Sequence, residues 1–126
     1  MFQEIEKGSF FGNKPMKGVN MSCKNRTMRI TIDQNLYRKL GRPDFVKVLA
    51  GSGDDEGKVA IVKVGTRTQN AYTMNEKTRS VSFSVNRIGM TASDFPVTYL
   101  PFELTEQGLV VDMTMLMGAI PMVKVA

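Results

Sequence analysis

Apolar and polar residues alternate with a period of two at Ile30-Thr31-Ile32, which predicts a short strand with one buried face. Phe45-Val46-Lys47-Val48-Leu49 and Lys58 to Val64 predict two more strands because they are rich in β-branched residues. Between the first and second the rhythm changes. Asp33 is a good helix N-cap, its carboxylate accepting from the free amides of a first turn, and Leu36 and Leu40 share one helical face. Gly41 and Pro43 stop the helix, so it spans about two turns near Gln34–Leu40. The loop from Gly51 to Gly57 then reads as the turn of a hairpin. The resulting unit is strand, short helix, hairpin, over residues 28–65.

A similar order returns later. Shifting the chain by 51 residues superposes Ile30 on Val81, Ile32 on Phe83, Asn35 on Asn86, Val46 on Val97, Val48 on Tyr99, Gly57 on Gly108 and Val59 on Val110, without insertion. This predicts a second, degenerate copy over residues 79–113, joined by a polar connector at 66–78. In that connector Ala71-Tyr72-Thr73-Met74 is the one plausible strand and Asn75-Glu76 a turn. The second copy lacks the Leu-x-x-x-Leu-Gly helix and has Arg87 to Ala92 in its place. Pro96 and Pro101 bracket Val97 to Leu100, which predicts an edge strand or a bend, because proline has no ladder donor. The second hairpin is expected over about Val97–Met113.

The ends differ from this body. Residues 1–27 mix Phe2, Ile5, Phe10 and Phe11 with Gly, Asn, Pro and Lys, and read as an arm from which Lys14, Lys17, Lys24 and Arg26 reach solvent. Residues 114–126 form an apolar tail with one charge, Lys124. Its methionines suit an adaptable core, a subunit interface or a protein-partner surface.

Candidate chemistry narrows quickly. There is no histidine and a single cysteine, Cys23, which removes the commonest general base, an intramolecular disulfide and any cysteine zinc site. Asp54-Asp55-Glu56 suits a solvated hairpin tip better than a calcium loop. Gly51-Ser52-Gly53 is followed by acids that would repel a phosphate. No enzyme and no cofactor is expected. No stretch approaches a membrane span and no signal peptide is visible, so a cytoplasmic location is the expectation.

Charge supplies the positive lead. The net +5 is uneven: residues 1–50 hold ten Lys/Arg against four Asp/Glu, a net +6, and residues 51–126 hold seven against eight, a net −1. A concentrated positive surface releases counterions from phosphates, which puts nucleic acid first among partners. Spacing places Arg29 on the first strand and Arg38, Lys39 and Arg42 on or just after the helix, all able to share one rim. Arg26 of the arm and Arg87, with Arg79, of the second copy could reinforce them. Lys58 and Lys63 lie on the hairpin, away from this motif.

The run Arg29-Ile30-x-Ile32, then Leu36-x-Arg38-x-Leu40-Gly41 followed by two strands, resembles the SpoVT/AbrB family of swapped-hairpin DNA-binding domains. Met28, Asp33 and Tyr37 depart from the family's glycine, proline and first arginine. The resemblance implies a mainly β fold in which two tandem strand–short helix–hairpin units interleave their hairpins into a barrel. It also implies that Arg29 and Arg38 touch double-stranded DNA. The function expected on that footing is a DNA-binding transcriptional regulator of bacterial or phage origin, acting as a homo-oligomer. The alternative is a protein-binding module on the same scaffold, antitoxin-like or an anti-defence or host-interference protein, engaging its partner through the tail or arm.

Overall fold

A computed structural model of the chain describes residues 1–4, 16–25, 27–77, 80–86 and 94–116. Within them the chain is mainly β, with one α-helix. The elements are β1 (Val19–Lys24), β2 (Thr27–Asp33), α1 (Gln34–Lys39), β3 (Phe45–Ala50), β4 (Lys58–Val64), β5 (Tyr72–Thr73), β6 (Asn75–Glu76), β7 (Ser80–Asn86), β8 (Phe95–Leu100), β9 (Phe102–Thr105) and β10 (Gly108–Asp112). They form two antiparallel five-stranded sheets, β6-β7-β2-β1-β8 and β5-β3-β4-β10-β9. The expected barrel is not closed. Each sheet ends on an edge, β6 and β8 in the first and β5 and β9 in the second.

One apolar core unites the sheets. Val19, Met21, Ile30, Ile32 and Val81 from the first sheet and Val46, Ile61, Leu109 and Val111 from the second are all under 2 % exposed. Burying each such side chain stabilises the fold by roughly 1.5–3 kcal/mol, which is why period-two alternation governs both sheets. Leu36, Tyr37 and Leu40 of α1 and its cap join the same core, so the helix closes one end of it.

Three expectations change. Residues 19–24 belong to no arm: Val19, Met21 and Cys23 alternate inward, and β1 sits between β2 and β8 as an inner strand. Asn75 and Glu76 do not turn but pair with Ser82 and Val81 of β7. The second hairpin is Phe102–Asp112, not Val97–Met113; its outer strand begins after Pro101, and Phe95 and Thr98 to Leu100 pair with β1 in the other sheet. Pro101 is the pivot, because the run Phe95–Thr105 leaves one sheet there and enters the other. The expectation of an edge or a bend at these prolines is met in both senses.

The β2–β7 ladder sets Thr31 opposite Ser82, the very pair that the 51-residue shift superposes. Ile30 accordingly faces Phe83, and Ile32 faces Val81. Between β4 and β10, Val59 faces Val111 and Ala60 faces Val110, one residue off that relation. Of the tail, residues 114–116 make a 3-10 turn that buries Leu116, and residues 117–126 lie outside the described residues, as do Phe10 and Phe11.

Candidate nucleic-acid interface

The local chemistry of α1 decides which of its side chains reach solvent. Asp33 caps it, its carboxylate accepting from the Leu36 N–H at 2.7 Å. At the other end the Gly41 N–H donates to the Arg38 carbonyl at 3.0 Å and the Arg42 N–H to the Tyr37 carbonyl at 2.9 Å. This is a Schellman stop, and it requires the left-handed φ of +96° at Gly41. Tyr37 is pulled inward, its hydroxyl donating to the Pro43 carbonyl at 2.8 Å. Burial, then the carboxylates of Glu76 and Asp44, hold its phenol above its ordinary pKa, and Arg42 opposes them. With Leu36, Tyr37 and Leu40 committed to the core, Arg38 and Lys39 are left exposed in the last turn.

Two further cations come to this end. Arg42, at φ +50°, is exposed and pairs with Glu76 at 3.2 Å. Lys63 arrives from the second sheet: a methyl group at Gly41 would stand 3.4 Å from its Nζ. Spacing along the chain sets Lys63 apart from the motif, whereas the structure places it against the helix stop. A signal for this is present in the sequence. Period two puts Lys63 on the face of Val59 and Ile61, a position a lysine holds only at a rim where its ammonium can leave the core. Cations here also complement the carbonyl end of the helix, so the cluster is compatible with the fold that carries it.

Arg29 lies elsewhere. It projects from β2 on the outer face of the first sheet, between Ser22 of β1 and Ser84 of β7. Four residues separate it from Asp33, about 13 Å of strand. The adjacent row of that face runs Asn75, Ser82, Thr31, Asn20, Tyr99 across all five strands. Arg38, Lys39 and Arg42 are thus gathered at the helix end with Lys63, and Arg29 stands on a polar sheet surface. Arg26, Arg79 and Arg87 lie outside the described residues.

Asp44 and Glu76 share the helix end with these cations, whereas other negative charges lie at the far end of β4. Asp54, Asp55 and Glu56 occupy the far tip of the β3–β4 hairpin, and Asp112 faces Lys58 at the same end of β4. The Asp112 carboxyl lies below its ordinary pKa, chiefly because the Thr114 hydroxyl and N–H donate to it at 2.6 and 2.9 Å. Among the described residues no group of three or more His, Cys, Asp or Glu could hold a metal ion, and no helix is long and apolar enough to cross a membrane.

Fold and charge together define a two-sheet β protein with a basic helical cap. Comparison with protein-family models, with curated proteins and with solved structures finds no match.

Proposed function

We propose that the protein binds double-stranded DNA through the helix-capped end of its β scaffold, as a regulator of the swapped-hairpin kind. The observation that carries this is the convergence of Arg38, Lys39 and Lys63 from two distant segments around the Gly41 stop. Arg42 adds a fourth cation, shared with Glu76. Guanidinium forks and ammonium groups so placed can neutralise several phosphates at once.

Strand pairing supports the swapped-hairpin reading. Let the halves be exchanged, with β5 and β6 standing for β1, β7 for β2, β8 and β9 for β3, and β10 for β4. The β1–β2 pair then becomes β6–β7, β1–β8 becomes β5–β3, and β3–β4 becomes β9–β10. The β2–β7 and β4–β10 pairs map onto themselves. In this arrangement each half lends its third strand to the first strand of the other, as two interleaved copies would. Fusion in one chain replaces a dimer, and the first half carries the cationic helix.

The test is a mobility-shift titration on random duplex at two salt concentrations. Affinity falls with salt, and replacing Arg38 and Lys39 together by alanine flattens the salt slope by about two units, one for each phosphate no longer neutralised. Lys47 and Lys58 are the matched control, since neither belongs to the helix end. Equal losses in both double variants, or no shift at low salt, would refute the proposal. The alternative, a module that binds another protein on this scaffold, draws its support from the exposed edge strand β9.

A further inference from the structure

Among the described residues the run Phe95–Thr105 is an edge throughout, first of one sheet and then of the other. It carries four of the large apolar side chains that face solvent: Val97 (61 % exposed), Tyr99 (53 %), Phe102 (44 %) and Leu104 (41 %). Hydrogen-bond parity shows which backbone groups are open. The Asp112 N–H donates to the Pro101 carbonyl at 2.9 Å, so Pro101 is a bonded position toward β10. In an antiparallel ladder bonded positions recur every second residue, so Glu103 and Thr105 also turn inward to β10. Phe102 and Leu104 therefore turn their N–H and C=O away from the sheet, and among the described residues nothing pairs with β9 on that side. Proline protects edges by withholding a donor. Pro101 withholds its donor from the inner side and leaves the outer one open.

Charge identifies the occupant. Residues 94–123 contain no Lys or Arg, Glu103 lies on β9, and Asp94 and Glu106 flank the run. A second copy adding antiparallel at Phe102 and Leu104 would set Glu103 directly opposite Glu103, an unfavourable like-charge pair. We infer that β9 is a docking edge for an extended segment of a partner protein. That segment has apolar residues flanking a lysine or arginine, and it adds as a sixth strand with its cation beside Glu103. Main-chain bonds at Phe102 and Leu104 supply affinity, and the Glu103 carboxylate supplies selection.

The probe is a synthetic peptide of alternating valine and lysine, with a valine–glutamate peptide for comparison, added to the full chain and read by amide hydrogen exchange. The lysine peptide should slow exchange of the Phe102 and Leu104 N–H groups and bind about two- to fivefold more tightly than the glutamate peptide. Glu103→Lys should reverse that order; its side chain is exposed, so the fold is retained and the native exchange pattern elsewhere confirms it. Protection of those two amides that grows with protein concentration alone would show that a second copy fills the edge and overturn the inference. So would equal protection by the two peptides, or none. Because none of these readouts involves DNA, they stand or fall apart from the DNA-binding proposal.

Discussion

Gly18 and Asp33 are joined twice. The Asp33 N–H donates to the Gly18 carbonyl at 3.1 Å, and the Gly18 N–H donates back to the Asp33 carboxylate. The other carboxylate oxygen takes the Leu36 N–H. One residue thus joins the start of β1 to the end of β2 and caps α1.

Replacing Asp33 by alanine should therefore cost about 2–3 kcal/mol, the sum of a lost cap and a lost charge-assisted bond. Asp33→Asn keeps a capping acceptor and should lose about 1 kcal/mol. Urea midpoints at pH 7 give both values; equal losses would show that the cap contributes nothing, and no loss in Asp33→Asn would show that the bond to Gly18 contributes nothing.

Tyr37 makes stability pH-dependent on the alkaline side. Its folded pKa lies above the ordinary 10.0, so the unfolded chain releases the proton first. The contribution is complete below pH 10 and is lost as pH rises through the folded value. The difference between wild type and Tyr37→Phe, followed by denaturation at pH 8 and pH 11, should show this loss in the wild type alone. At neutral pH the same substitution removes the bond to Pro43 and should cost about 1 kcal/mol.

Asp112 works in the opposite direction. Its folded pKa lies below the ordinary 3.8, so its contribution is present above that value and is lost as pH falls through the folded one. Thr114→Val removes the hydroxyl that is the main cause and should raise the Asp112 pKa, as read by carboxyl NMR titration. The carboxylate is exposed, so the accompanying change in stability should be small.

Gly108 and Gly41 both have positive φ, +138° and +96°, but different neighbours. A methyl group at Gly108 would come within 2.4 Å of the Ile61 carbonyl oxygen, a backbone atom that cannot yield. At Gly41 the obstacle is the flexible end of Lys63. Gly41→Ala should cost about 1–2 kcal/mol for the left-handed backbone. Gly108→Ala should cost more, about 3 kcal/mol or above, or prevent folding. Comparable urea midpoints for the two variants would contradict the close approach of β10 to β4.

The features legible in the residues alone are local ones. The alternation of Ile30 and Ile32 places β2, because a strand must turn every second residue to the core, and the β-branched runs around Val46 and Val48 and around Val59 and Ile61 place β3 and β4. Asp33 and Gly41 mark the ends of α1, because a cap and a left-handed stop need those residue types. The same alternation in Val19, Met21 and Cys23 is masked by the Gly, Asn and Lys around it, so β1 reads as arm until the sheet is seen. Partner choice is not local at all. A period of two says that Val97 to Leu100 form a strand but cannot say whether β10 or β1 receives it; the corner at Pro101 decides that, because only there can the chain cross between sheets. For the same reason the side chains of Arg38 and Lys39 are legible as a pair, whereas the addition of Lys63 and the displacement of Arg29 to another surface are settled by how the two sheets close on one core.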